Sequence, residues 1–141
     1  MSFFKRLAYM FGKNKQVKVQ ASSSALLVSL PIAANRRQTA KITATIIEGT
    51  NPQLIAVSVV SRAGFPENHK LVRKALEYNA GKQRVALCLS DDCEPPALDA
   101  ILCVPIDPHD ENAPIEIWDV MVEVAAVADN LERQLSSTDE L

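Results

Sequence analysis

Residues 39–60 read "TAKITATIIEGTNPQLIAVSVV", and that stretch spells two strands joined by a turn. In its first half Ala40, Ile42, Ala44 and Ile46 alternate with Lys41, Thr43, Thr45 and Ile47. A period of two puts the first set on one face of a sheet and the second set on the other. "EGTNPQ" follows, with Gly49, Asn51 and Pro52 as turn residues, and then a second apolar run, "LIAVSVV" (54–60). A connection this short favours antiparallel pairing, because parallel strands need a long crossover.

Upstream, "ALLVSLPI" (25–32) lies between the serines Ser22, Ser23 and Ser24 and the polar turn "ANRRQ", giving a three-stranded meander. Pro31 near its end removes a ladder donor, which is tolerable at a sheet edge. Before it, "SFFKRLAYMFG" has the spacing of a short amphipathic helix that Gly12 can end, and "KNKQ" reads as a connector.

Downstream, "FPENHKLVRKALEYNAG" (65–81) is punctuated as a helix. Pro66 suits the first turn, Glu67 complements the helix dipole, and Gly81 can close the far end. Leu71, Val72, Ala75 and Leu76 form its apolar face. "QRVALCLS" and "ALDAILCVPI" are two further strands around the turn "DDCEPP". "DPHDENAP" is a loop in which Asp110 or Asn112 can cap the last helix, with Pro114 near its start.

That helix, over about 115–136, carries Ile117, Met121, Val124, Ala128, Leu131 and Leu135 at steps of three and four. Trp118 with Ala125, and Val120 with Val127, add further seams at a step of seven. The apolar face is wider than one sheet contact needs, so Trp118, Val120 and Val127 are expected to meet a subunit or partner.

The elements give one α+β domain over 1–141, in the order α-β-β-β-α-β-β-α. An antiparallel sheet of about five strands is expected, with helices packed on it. Residues 1–16 form the short helix and connector, and 137–141 a polar tail that frays.

Composition sets the class. The chain has 141 residues, 48% hydrophobic and 23% charged, enough for one core without staples. No run of apolar residues is long enough to span a bilayer, and the N-terminus lacks the features of a secretory signal. Three cysteines are an odd count, unlike a secreted disulfide framework, so a reducing cytoplasm is expected. Charge is lopsided: residues 1–47 hold eight bases and no acid, and the remainder holds seven bases and all seventeen acids. The two ends of the chain, or of two copies, are expected to attract one another.

All three cysteines fall within "CLSDDCEPPALDAILC" (88–103). Structural zinc prefers pairs separated by two residues, whereas Cys88, Cys93 and Cys103 are spaced more widely, with His109 the remaining ligand type. Cys88 and Cys103 fall on the less apolar faces of two strands, and Cys93 falls in a turn among acids, a poor setting for a thiolate nucleophile. A hairpin using cysteine as a small side chain explains the stretch. His69 reads as a solvated helix residue, and "DPHDE" (107–111) as a capping loop before a divalent-cation site. No phosphate-loop, dinucleotide, nucleophile-elbow or zincin motif occurs. The expectation is a non-enzyme without cofactor or metal. Arg36, Arg37 and Lys41 in "ANRRQTAK" are the candidate anion contacts, but no aromatic stacking platform lies beside them.

Three stretches carry a family resemblance: "LVRKALEYNAGKQRVALCLSDD" (71–92), "ALDAILCVPID" (97–107) and "VMVEVAAVADNLERQL" (120–135). This pattern of helix, strand, acidic turn, strand and long helix resembles the YbjN family, whose members share the fold of type III secretion chaperones. The resemblance implies a homodimeric, cytoplasmic protein-binding adaptor, chaperone or regulator with no catalytic residues. The alternative is an electrostatic binder of nucleic acid or anionic membrane through the basic N-terminal third.

Overall fold

The computed structural model describes residues 2–33, 35–65, 69–81 and 83–138. Three helices and six strands follow in the order α1 (Phe3–Phe11), β1 (Lys18–Ala21), β2 (Leu26–Ala33), β3 (Arg36–Ile47), β4 (Leu54–Gly64), α2 (His69–Ala80), β5 (Ala86–Leu89), β6 (Leu98–Ile106) and α3 (Ala113–Thr138). The fold is α+β with an antiparallel sheet, as the alternation predicts. Pro66 and Glu67, expected to open the second helix, lie outside the described residues, as do the side chains of Leu71, Leu76 and Leu135.

All six strands form one sheet in the order β1-β2-β3-β4-β6-β5. The first four run as a meander. The chain then passes through α2 and lays β6 between β4 and β5, antiparallel to both. The sixth strand is β1, in a segment whose alternation is too short and polar to announce itself. It is held by its turn. Ser22 Oγ accepts from the backbone N–H of Ser24 and Ala25, and Ser22 N–H donates to the Ala25 carbonyl at 2.9 Å. The serine cluster therefore closes a hairpin. Asn35, between β2 and β3, takes φ of 64°, a left-handed conformation that asparagine tolerates.

α3 crosses one face of the sheet and buries Ile117, Met121, Val124, Ala128 and Leu131 against it. The facing strand residues include Ala40 and Ile42 from one face of the predicted alternation, together with Val28, Val57, Val59, Ala100 and Ile106. Burying each larger side chain contributes about 1.5–3 kcal/mol, enough to fix the register of every strand. Ile46 is the exception: it is 67% exposed, beyond the reach of α3.

The extra apolar width of α3 has two uses within the chain. α1 packs beside it, with Phe11 and Trp118 ring centroids 5.4 Å apart. On the other flank Val127 shares a groove with Tyr78 of α2 and Leu87 of β5. Polar ties add direction. Arg36 makes two hydrogen bonds to the buried Asp129 carboxylate of α3, at 3.1 and 3.2 Å. Ser61 Oγ donates to Gln38 Oε1, and Gln38 Nε2 in turn donates to Glu132.

Candidate interaction surfaces

Among the described residues, no helix covers the face of the sheet opposite α3. Strand register arranges its side chains in cross-strand rows. The first row is Lys18, Ser29, Thr39, Arg62, Asp99 and Cys88, running from β1 to β5. The second contains Leu27, Lys41, Val60, Ile101 and Ala86. Beyond them lie Thr43, Ser58 and Cys103, then Thr45, Ala56 and Pro105. This open face is a floor of small and β-branched side chains, charged at one end.

Its charged end is a shallow groove of about 480 Å³, with Lys41, Arg62, Cys88, Asp91 and Asp99 among its walls. Arg62 sits at the centre and donates to Asp99 at 3.0 Å and to Asp92 at 2.7 Å. Hydrogen bonds to these two carboxylates hold the guanidinium charged more firmly than usual. The bond from Arg62 in turn holds the Asp92 carboxyl below its ordinary range. Burial, reinforced by Asp99 and Asp91, pushes the Cys88 thiol up, so Cys88 stays a neutral, weak nucleophile.

Three positions along the sheet edges beside this face resist strand addition. β5 covers β6 only as far as Ile101, and Pro105 stands on the overhang. The Ala97 carbonyl accepts from Ser90 N–H, so odd-numbered residues of β6 point their backbone groups outward, and Pro105 offers an incoming strand no donor. Pro31 does the same on β2 beyond its pairing with β1. On the outer edge of β5 the Asn79 side chain occupies both backbone groups of Leu87: its Nδ2 donates to the carbonyl and its Oδ1 accepts from the N–H, each at 2.7 Å.

A second surface lies on the helical side. Met10, Phe11, Lys13, Pro114, Ile115 and Trp118 line a groove of about 380 Å³ between the end of α1 and the start of α3. Its walls are apolar and partly bare, with Ile115 59% and Met10 41% exposed. Lys13 Nζ lies 4.8 Å from the centre of the Tyr9 ring, which holds the cation at the rim.

The sequence-predicted interface residues separate here. Trp118 lines the helical groove. Val120 is 2% exposed and belongs to the core, and Val127 is half-buried beside Tyr78, so the chain itself covers both. The predicted anion contacts separate as well. Arg36 is engaged by Asp129. Arg37 donates to Ser29 Oγ and to the carbonyls of Ser29 and Gln16. Lys41 stands on the open face without a carboxylate partner among the described residues. Cys88 and Cys103 share that face, four residues apart in β6 register, roughly 13 Å. Among the described residues, no group of three or more His, Cys, Asp or Glu side chains is placed to hold a metal ion.

Met10 and Ile115 escaped the sequence because a groove between two helices has no local pattern. Arg62 was within reach of the alternation, which places Ser58 and Val60 on the open face. The strand continues to Gly64, past the expected end at residue 60. Among known proteins, no family model matches the chain and no curated protein matches it. No helix among the described residues is long and apolar enough to cross a membrane.

Proposed function

We propose that the chain is a non-enzymatic protein-binding module of the cytoplasm, an adaptor, chaperone or regulator that works as a homodimer. The observation that carries this reading is the groove at Trp118. It is a ready apolar slot with a half-buried tryptophan in its wall and exposed Met10 and Ile115 at its rim. Aromatic-walled slots of this size take a single anchor side chain from a partner. Lys13 at the rim favours a partner in which that apolar anchor is followed by an acidic residue. The resemblance to YbjN-type proteins and secretion chaperones supports the same class.

Because Trp118 is the single tryptophan, its emission reports occupancy of the groove directly. Short peptides pairing Leu or Phe with Asp or Glu are expected to blue-shift and saturate that emission. Ile115→Asp is expected to abolish the response, while Ile46→Asp, a comparably exposed change outside the groove lining, leaves it intact. Emission indifferent to every peptide, with the same proteins co-purifying with wild type and Ile115→Asp, overturns the reading.

A further inference from the structure

We infer that the partner seated at Trp118 is an amphipathic α-helix lying over the seam between α1 and α3, acidic on its α1 side and basic on its α3 side. This occupant rests on the groove reading above and adds to it a form and a charge pattern.

α1 and α3 run side by side in the same sense, since Arg6 reaches the Asp110 carbonyl and Phe11 packs on Trp118. At 3.6 residues per turn, Trp118, Val122 and Ile115 share one side of α3. Val122 is 40% exposed, so the apolar stripe continues past the groove. The exposed Asp119 and Glu116 follow on the flank away from α1. On α1, Met10 lies next to the stripe, and the exposed Lys13, Tyr9 and Lys5 follow on the outer side. Across the two helices the order is therefore basic, apolar, acidic. Among the described residues, none of Lys5, Lys13, Lys15, Glu116 and Asp119 is in an ion pair. Neither bank is mixed: the first 47 residues hold no acid, and no lysine or arginine lies between Arg84 and Arg133.

The walls select the form of the occupant. They are side chains of two helices, whose backbones pair within each helix, so an extended segment finds no ladder to join and would bury its own N–H and C=O groups unpaired. A helix pairs those groups itself, and its i, i+3, i+4 and i+7 side chains match the ~10 Å rise from Ile115 to Val122. The banks select its charge. A helix acidic on both flanks would meet Asp119 and Glu116, and one basic on both flanks would meet Lys5 and Lys13. Only opposed flanks are complementary on both sides. For a given segment, the unlike banks also fix which way it runs.

The test uses the full chain and synthetic peptides of about 20 residues, long enough to hold a helix, each with a leucine stripe at i, i+3, i+4 and i+7. One carries Glu on one flank of the stripe and Lys on the other. A second has the same composition with Glu and Lys mixed on both flanks, and a third has a proline in mid-stripe, which breaks the helix. The first is expected to saturate the Trp118 emission change and to gain helicity by circular dichroism. At low salt the second is expected to bind at least roughly threefold more weakly, and the third not at all. Lys13→Glu and Asp119→Lys are each expected to weaken the first peptide by a similar factor. Exchanging both banks (Lys5→Glu, Lys13→Glu, Glu116→Lys and Asp119→Lys together) is expected to restore it, because the helix can bind reversed. Should that variant unfold, the comparison of the three peptides decides. Equal affinity for the first and second peptides, or binding of the proline peptide, overturns the inference. Short Leu–Asp or Phe–Glu peptides that shift the emission while no helical peptide does would overturn the helical occupant alone and leave the groove reading standing. Silence towards every peptide overturns both. An emission shift produced by anionic vesicles alone, or by raising the protein concentration alone, would assign the surface to a membrane or to a second copy instead.

Discussion

Asn79 acts as one residue of a strand that is not there. Its amide gives Leu87 the donor and the acceptor that a neighbouring backbone would supply. Asn79→Leu removes both and leaves two half-buried backbone groups unpaired. Unfolding in urea is expected to show a loss of about 1–3 kcal/mol, whereas Asn79→Asp restores only the acceptor and falls between. At the same scale, Cys88 is expected to react with iodoacetamide at neutral pH more slowly than free cysteine, because burial and the nearby Asp99 and Asp91 disfavour its thiolate. Rate equality with free cysteine would remove that account. Neither role is legible in the sequence. A helix-terminal asparagine looks like a solvated cap until the strand it serves is in place, and the partner of Arg62 lies thirty or more residues away.

At the scale of elements the sequence is more open to reading, and the reason is periodicity. β3 and β4 announce their two faces residue by residue, and α3 announces its buried stripe, because burial on one side imposes a period on the chain. β1 announces nothing. With four residues it exists through pairing with β2 and through the Ser22 turn, which are tertiary facts. The width of α3 predicts a contact but not its owner. α1 supplies part of it, since Phe11 packs on Trp118, and the loop before α3 receives Arg6 of α1 at the Asp110 carbonyl. Phe11→Ala is expected to cost about 3–5 kcal/mol if the cavity stays open, and less if α1 lifts away. A red shift of Trp118 emission before global unfolding would identify the second outcome. An unchanged emission with a single transition would identify the first.

For the whole molecule, the lopsided charge of the sequence resolves in two ways. Part is spent inside the chain, where Arg36 meets Asp129. The rest is displayed on the open face, with bases towards β1–β3 and acids towards the turn after β5. That division separates Arg36 from Arg37 and Lys41: successive strand residues point to opposite faces, so Arg36 reaches Asp129 of α3 while Arg37 and Lys41 share the open face. The prolines belong to this scale too. Replacing Pro105 by Thr provides β6 with an outward N–H, and the variant is expected to aggregate faster than wild type in thioflavin-monitored incubation. Equal rates would mean that the edge is protected by other means.

The insertion of β6 between β4 and β5 also sets a timetable. β4 ends at Gly64, but the strand that covers its far side is complete only at Ile106, about forty residues later. A ribosome adds roughly 5–20 residues per second, so for a few seconds each nascent chain carries an uncovered, apolar β4. The protection that Pro31, Pro105 and Asn79 give the finished sheet does not extend to that interval. A chain truncated after Gly81 should reproduce it permanently and pellet on centrifugation where the full-length chain stays dispersed. The period of greatest exposure for this protein lies in its synthesis.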